Sequence, residues 1–343
     1  MKIVADTNIP FLKGVFEPFA EVVYKEGRQI GREDLPDADA LIIRTRTRCD
    51  ADLLDGTAVR IISTATIGTD HIDLDYCRER GIEVHNASGC NCIGVMNYVF
   101  SALYGIASRK SLNLEGMTFG IVGVGHVGGA VERMARTLGF NVLLCDPPRA
   151  EAEGPEAFCS LDYLLEHADI VTLHTPLDEN TRGMADESFF EKIRPGTIFI
   201  NASRGEVVDE VALMHAIPKL GTVIIDTWAG EPNVNQNLIS QVDIATPHIA
   251  GYSYQGKLNG TSAAVRSVAS FFGIDALKDF SLTAESPELQ PLKLELEGKT
   301  QGQIAAIFQY NYPIFIDDFM FRMAPGDFEK LRSEYHYRRE FYV

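Results

Sequence analysis

Short apolar runs alternate with polar or helix-like segments through most of the chain. Apolar runs of this length, bounded by polar or turn residues, are typical of buried strands. The N-terminal part contains four of them, which are Lys2–Ala5, Ala40–Ile43, Arg60–Ser63 and Glu83–His85. Because helical or loop segments separate the runs, the pattern predicts a small parallel sheet with helical cover.

The centre of the chain repeats this pattern and predicts a second parallel sheet. Its expected strands are Thr118–Val122, Asn141–Cys145, Ile170–His174, Thr197–Asn201, Thr222–Asp226 and Asp243–Thr246. Two longer stretches flank it, at Cys92–Ser108 and Gly256–Phe272, and both predict helices. Turn-rich sequence near residue 285 marks a separate C-terminal segment, residues 285–343, which contains the charged and aromatic run Phe328–Phe341.

A glycine-rich turn joins the first two strands of the second sheet. A helical pattern follows Gly123-Val-Gly-His-Val-Gly128, and the next strand ends at Asp146. Glycines let the backbone approach a pyrophosphate, the helix N-terminus favours an anion, and the acid can accept a hydrogen bond from a ribose hydroxyl. This context predicts an NAD-binding fold. The cofactor residues expected from it are Gly123, Gly125, His126, Val127, Gly128 and Asp146.

Three polar residues follow later strands of the same predicted sheet: Arg204, Glu231 and His248. Oxidation of a hydroxy acid by hydride transfer needs a base for the hydroxyl proton, and histidine titrates in the useful range. A carboxylate beside a histidine favours the imidazolium, and an arginine can hold a substrate carboxylate in a bidentate fork. Each residue type alone is more often structural. Their positions on successive strand ends favour a catalytic group.

Composition narrows the possible partners. The formal net charge of −17 argues against nucleic acid and anionic membranes as partners. The spacing Cys90-Asn-Cys92 is too short for the usual zinc pattern, so we expect no metal and free thiols. The sequence has neither the pattern of a secretory signal nor an apolar stretch of roughly 20 residues, so we expect a cytoplasmic protein.

A short basic run, Arg44-Thr-Arg-Thr-Arg48, follows the predicted strand Ala40–Ile43. If this run is extended, its arginines point one way and its threonines the other. Arg44 and Arg46 are then candidates to bind a substrate phosphate, since an acidic chain needs a local cluster of cations to hold an anion. The alternative is a solvated, charged strand end.

The glycine motif with Asp146, the sequence Asn201-Ala-Ser-Arg-Gly205, the GEP at Gly230–Pro232 and the PHIAG at Pro247–Gly251 resemble the D-isomer-specific 2-hydroxyacid dehydrogenases. The resemblance implies an α/β fold of two doubly wound parallel-sheet domains, with a Rossmann cofactor domain inserted into a flavodoxin-like substrate domain. It assigns residues 1–91 and 249–284 to the substrate domain and 92–248 to the cofactor domain. It also implies that Arg204 binds the substrate carboxylate, His248 is the acid–base group and Glu231 is its partner.

Further segments resemble a narrower branch of that family, whose members oxidise 4-phospho-D-erythronate in pyridoxal phosphate biosynthesis. They include Thr64–His71, Cys145–Arg149 and the run Phe328–Phe341, which is similar to that branch's added dimerisation domain and implies a homodimer. The branch implies substrate contacts at Thr45, Thr66 and Tyr252, and cofactor contacts at Thr175, Ala202, Ser203, Arg204, Asp226 and Gly251. The chain departs from it by threonine at position 45, where many members have serine, and by ending soon after the C-terminal run.

Two alternatives stay open at this point. The chain can be a dehydrogenase of the same family for 3-phosphoglycerate or a small unphosphorylated acid. It can also be an NAD-sensing binding protein, because some members of the family act as transcriptional co-repressors. The Thr64–His71 passage and the C-terminal run favour the phosphorylated four-carbon acid over the first, and the lack of an interaction tail weighs against the second.

Overall fold

The computed structural model describes all 343 residues, which form two compact units. The first unit contains Met1–Asn91 and Ser253–Gln290, and the second contains Cys92–Tyr252 and Pro291–Val343. These boundaries differ from those expected at 248/249 and 284/285. The C-terminal segment expected to stand alone is divided at Gln290, and its larger part belongs to the second unit. None of the helices combines the length and apolar character needed to cross a membrane.

The first unit is built on a five-stranded parallel sheet with the order β2-β1-β3-β4-β5. The strands are β1 (Lys2–Asp6), β2 (Glu21–Lys25), β3 (Ala40–Ile43), β4 (Ile61–Thr64) and β5 (Glu83–Asn86). The helices are α1 (Ala51–Leu54), α2 (Leu74–Glu79) and, after the inserted second unit, α10 (Tyr254–Phe272). Leu41 and Ile62 pack into one core while Ile42 and Ile61 pack into another, so the sheet is covered on both faces.

The edge strand β2 was not expected from the sequence. Its residues, Glu21-Val-Val-Tyr-Lys25, are only half-buried and do not form a continuous apolar run. Valine and tyrosine at its centre are common in strands, so a weak signal was present.

The second unit contains a six-stranded parallel sheet with the order β11-β10-β9-β8-β6-β7. The strands are β6 (Thr118–Val122), β7 (Asn141–Cys145), β8 (Ile170–Leu173), β9 (Ile198–Asn201), β10 (Thr222–Ile225) and β11 (Ile244–Ala245). All pairs are parallel, which confirms the predicted doubly wound α/β class with two parallel sheets. The strand order reverses between β6 and β8, where such sheets place their ligand crevice.

Helices surround this sheet and connect its strands. They are α3 (Cys92–Lys110), α4 (His126–Thr137), α5 (Pro147–Glu153), α6 (Leu161–His167), α7 (Glu187–Lys192), α8 (Glu210–Ala216) and α9 (Gln236–Gln241). The α3 helix agrees with the helix expected over Cys92–Ser108, and every residue from Gly94 to Ala107 is buried. The C-terminal part of the unit covers part of this helix, where the Gln309 amide donates to the Ser101 carbonyl at 2.7 Å.

The C-terminal part of the second unit consists of small elements that pack on α3 and on the sheet. They are β12 (Leu292–Lys293), α11 (Gln301–Asn311), α12 (Ile314–Met323), α13 (Phe328–Ser333) and β13 (Phe341–Tyr342). The Asn97 side chain exchanges two hydrogen bonds with the backbone of Phe341, at 2.8 and 3.0 Å. Phe321 lies 5.8 Å from the ring of Trp228. This part therefore belongs to the core of the unit.

Candidate active site

The glycine-rich turn lies at the carboxyl end of β6, next to the point where the strand order reverses. A Cβ atom at Gly128 would collide with the Gly123 carbonyl oxygen, and one at Gly123 would lie 2.8 Å from the carbonyl of His174. Packing therefore demands both glycines, because helix α4 and the loop after β8 approach the turn closely.

Gly125, unlike Gly123 and Gly128, has open space beside it, where a cofactor phosphate could lie. It has a φ of −74° and a ψ of −149°, which lies outside the helical and extended regions, and a Cβ atom there would meet nothing within 4 Å. No side chain caps the N-terminus of α4 at this residue. The backbone conformation itself favours glycine at this position, and the open space beside it leaves room for a pyrophosphate on the helix N-terminus. The exposed His126 and half-buried Val127 begin that helix, so the turn fits a dinucleotide.

Asp146 ties the glycine turn to the end of β7. Its carboxylate accepts hydrogen bonds from the Val124 amide at 2.7 Å and the Arg149 amide at 3.1 Å. The Arg149 side chain binds both carboxylate oxygens of Glu153 at 2.7 Å and the Val124 carbonyl. The charge of Arg149 is thus compensated inside the protein, which leaves Asp146 to favour a ribose hydroxyl over a 2′-phosphate.

The loop after β8 supplies a further polar atom. The Thr175 hydroxyl is buried without a hydrogen-bond partner, and so is Nδ1 of His174. Burial lowers the pKa of His174 to about 3, so its ring stays neutral. Unpaired buried polar atoms are rare and costly in a folded protein. Their presence beside the glycine turn fits a site that a ligand completes.

The Arg204 loop follows β9 and is shaped by Asn201, a residue that the sequence analysis did not single out. The Asn201 amide oxygen accepts from the amide and the hydroxyl of Ser203, and its nitrogen donates to the Arg204 carbonyl at 2.9 Å. Gly205 lies so close to the Trp228 carbonyl that any side chain would collide with it. This contact brings the Arg204 loop against the loop after β10, which carries Glu231.

Glu231 and His248 form the predicted pair. Oε2 of Glu231 lies 2.8 Å from Nδ1 of His248, and Oε1 accepts from the Trp228 amide at 3.0 Å. Burial acts to raise the pKa of Glu231, but His248, Arg332 and the hydrogen bonds hold it below the ordinary 4.5. The carboxylate therefore stays charged at neutral pH, and its bond to Nδ1 leaves Nε2 for a ligand.

Asp226 holds the turn that carries His248. Its carboxylate is completely buried and accepts from the Thr246 hydroxyl at 2.7 Å and from the Ile249 and Ala250 amides, both at 2.9 Å. His248 adopts a φ of 55°, a strained conformation that costs about 1–3 kcal/mol outside glycine. Burial raises the pKa of Asp226 above its ordinary value, although these hydrogen bonds and the nearby His248 act to lower it. The resemblance implies a cofactor contact for Asp226, and the structure shows a role in shaping this turn.

The expected substrate residues of the first unit follow adjacent strands. Thr45 is exposed in the turn after β3, and Thr66 follows β4, with its hydroxyl 2.7 Å from that of Thr64. Because Ile43 pairs with Thr64 in the sheet, both threonines lie at the same edge of the first unit. The strand order reverses there, between β1 and β3. Gly251 and Tyr252 belong to the second unit and close the His248 turn.

The basic run after β3 is not extended, so the condition under which its arginines would point the same way is not met. Residues 45–46 form a turn, in which the Thr47 amide approaches the Arg44 carbonyl at 3.4 Å. Arg44 pairs with the fully buried Asp6 at 3.0 Å, and Arg48 pairs with Asp50 at 2.7 Å. The charges of Arg44 and Arg48 are therefore balanced by carboxylates of the protein.

The comparisons with known proteins agree with this geometry. Residues 104–250 match the model of the D-isomer specific 2-hydroxyacid dehydrogenase, NAD binding domain. An erythronate-4-phosphate dehydrogenase of Bacteroides fragilis is 42% identical over 99% of this chain and 97% of its own length. One of Escherichia coli is 40% identical over 99% of this chain and 92% of its own length.

Solved structures share the fold. An NAD⁺-bound 3-phosphoglycerate dehydrogenase of Entamoeba histolytica is 26% identical, with a TM-score of 0.69 over 83% of this chain and 99% of its own. A D-lactate dehydrogenase of Aquifex aeolicus, at 24% identity, has a TM-score of 0.65 over 83% of this chain and 100% of its own. With the near full-length relatives, these findings establish that the chain belongs to the D-isomer-specific 2-hydroxyacid dehydrogenase family and contains its NAD-binding domain.

Proposed function

We propose that this chain oxidises 4-phospho-D-erythronate at C2 to (R)-3-hydroxy-2-oxo-4-phosphooxybutanoate with NAD, as a step of pyridoxal 5′-phosphate biosynthesis. The observation that carries the reaction class is the 2.8 Å pair of Glu231 and His248, next to the Arg204 loop. The substrate is supported by near full-length relatives named erythronate-4-phosphate dehydrogenase.

Each catalytic residue has a distinct task in this reaction. Nε2 of His248 takes the proton of the C2 hydroxyl as the hydride leaves the same carbon. Glu231 stabilises the imidazolium that forms, and Arg204 holds the substrate carboxylate. Bound NAD would supply the hydride acceptor. The cofactor would be held by the glycine turn, by Asp146 and by Thr175, Ala202, Ser203 and Gly251 on the later loops, whereas the carboxylate of Asp226 would act through the His248 turn.

The first unit is proposed to bind the phosphorylated end of the substrate. Thr45 and Thr66 offer hydroxyls at one sheet edge, and the cations nearest to them in sequence are Arg46 and Arg44, of which Arg44 is paired with Asp6. Tyr252 is proposed as a further substrate contact from the second unit. This division makes the first unit the substrate domain and the second the cofactor domain. The free thiols of all six cysteines support a reducing compartment such as the cytoplasm.

Turnover of a panel of acids tests the substrate. With NAD, we expect the kcat/KM for 4-phosphoerythronate to exceed those for erythronate, 3-phosphoglycerate and D-lactate, measured as NADH absorbance. Preference for 3-phosphoglycerate would replace the proposed substrate by its closest alternative. Tight NAD binding without turnover of any acid would support the cofactor-sensing binding protein instead.

The Arg44→Gln and Arg46→Gln variants test the phosphate contact. A charge-assisted contact contributes roughly 1.5–3 kcal/mol, so the KM for 4-phosphoerythronate should rise about tenfold or more, with erythronate less affected. Arg48→Gln is the matched control, because Arg48 is exposed and paired with Asp50. An equal rise in KM for both substrates would show that these arginines do not bind the phosphate.

The Glu231→Gln variant tests the acid–base pair. Because its pKa is held below 4.5, Glu231 keeps its charge as the pH falls towards that value, and its support for the imidazolium is lost only below it. Removing the charge should lower kcat about tenfold or more and move the pH–rate profile to lower pH. Glu210→Gln is the control, since Glu210 binds the Ala229 amide of the same loop. An unchanged rate and profile would rule out the pairing.

A homodimer is supported by an exposed apolar stripe on α12. Ile316, Phe319, Met320 and Met323 recur at helical spacing and are 50–68% exposed. Contiguous exposed apolar side chains of this kind usually mark an interface. We propose that a second copy of the chain covers them.

Sedimentation velocity tests this interface. The unaltered chain should sediment as a dimer, and Met320→Glu should sediment as the 37.9 kDa monomer, because a charge cannot be buried there without a partner. Val211→Glu is the control, since Val211 is a similarly exposed apolar residue on α8. A Met320→Glu variant that stays dimeric would exclude the α12 stripe.

A further inference from the structure

The guanidinium of Arg338 lies among backbone carbonyls of the loop that follows His248. Nη1 donates to the carbonyls of Ile249 at 3.0 Å and Tyr252 at 3.2 Å, and Nη2 donates to the carbonyl of Ala250. Nη2 also binds the Gly94 carbonyl at 3.1 Å, which ties this loop to the first turn of α3. A planar fork of donors is the group best suited to hold several carbonyls at once.

The surroundings of Arg338 keep it in place and charged. Its guanidinium lies 4.0 Å from the centre of the Tyr312 ring. Nη1 also contacts the Tyr335 hydroxyl at 3.3 Å, and that hydroxyl donates to Asp317 at 2.9 Å. Burial alone would lower the pKa of Arg338, but the two tyrosines and Asp317 raise it above its ordinary value. All these partners come from the C-terminal part of the chain.

Arg338 and Asp226 bind the backbone of the same two residues, one at their carbonyls and the other at their amides. Asp226 accepts from the amides of Ile249 and Ala250, and Arg338 donates to the carbonyls of these two residues. The turn that places His248 is therefore fixed by a buried anion from strand β10 and a cation from the C-terminal part. Removing either group leaves buried backbone atoms without partners.

The aromatic residues next to Arg338 extend this contact to Tyr252. The Tyr252 ring lies 6.0 Å from that of Tyr335 and 6.2 Å from that of Tyr337. The guanidinium of Arg332 on α13 lies 5.7 Å from the same ring. The proposed substrate contact thus packs against the C-terminal part, and Tyr335 contacts both Tyr252 and Arg338.

We propose that the C-terminal part of the chain completes the active site, with Arg338 as a positioning residue that aligns His248 and Tyr252. Arg338 itself lies after α13, whereas the apolar stripe of the proposed dimer interface lies on α12. The expected effect of Arg338 on turnover rests on the proposed function. Its expected effect on the conformation of the His248 turn rests on the contacts alone.

The Arg338→Gln and Arg338→Lys variants test this role. Misplacing a reacting group by about 1 Å can cost on the order of 10²-fold in rate, so we expect a loss of that size in kcat for Arg338→Gln. Arg338→Lys should be intermediate, since one ammonium cannot span the carbonyls. The isotope effect on kcat with substrate deuterated at C2 should grow, because the chemical step becomes slower relative to product release.

Arg322→Gln is the matched control for loss of stability. Arg322 also donates from the C-terminal part to buried carbonyls, those of Ile239 and Val242, but not to the His248 turn. Both glutamine variants should lower the melting temperature, whereas only Arg338→Gln should lower kcat. An equal loss of kcat in Arg322→Gln would show that general destabilisation explains the effect and would overturn the proposal.

Hydrogen exchange separates this proposal from the proposed reaction. The amides of Ile249 and Ala250 should exchange faster in Arg338→Gln than in Arg322→Gln or the unaltered chain, whether or not 4-phosphoerythronate is turned over. Unchanged exchange in this turn would overturn the positioning role. Failure of the unaltered chain to oxidise 4-phosphoerythronate would instead refute the proposed substrate and leave the exchange result to decide the role of Arg338.

Discussion

The buried carboxylate of Asp226 is the constraint on which the site depends. It has no exposure to water, so its charge is tolerated only because a hydroxyl and two backbone amides donate to it. Those donors all lie within the residues around His248, which is how a carboxylate at the end of β10 dictates the conformation of the turn after β11. The strained φ of His248 is held by this arrangement and points the ring at Glu231.

The parallel sheet supplies the rest of the geometry. Adjacent parallel strands end at one edge, so loops distant in sequence meet there. Asn201 shapes the loop after β9, and Gly205 lets that loop lie directly against Trp228, whose amide in turn binds Glu231. The catalytic residues are thus carried by rigid strand ends, and the polar residues behind them fix each loop. Such preorganisation is what acid–base catalysis requires.

Local sequence patterns predicted most of the strands. They could not predict contacts between residues that are distant in the sequence. The bounds of β3, β6 and β7 agree with those expected, because each is a continuous apolar run with clear turn residues at its ends. The half-buried β2 has no such run and was missed. The basic run after β3 adopts a turn, and Arg44 pairs with Asp6, a residue 38 positions away that periodicity cannot reveal. For the same reason the sequence could identify His248 and Glu231 as candidate catalytic residues. It could not show that Arg338 binds the loop after His248, because Arg338 lies 88 positions from Ala250.

The role of Asp226 is tested most directly by the kcat of Asp226→Asn beside that of Asp318→Asn. The asparagine NH₂ would face one of the hydrogen-bond donors that the carboxylate now accepts from, so we expect the His248 turn to shift and kcat to fall on the order of 10²-fold. Asp318 is a similarly buried carboxylate that binds the Ala245 amide, two positions before Pro247, and its substitution should spare kcat at a comparable loss of stability. An Asp226→Asn variant with the kcat of the unaltered chain would show that the turn holds His248 without this carboxylate and would contradict the assignment.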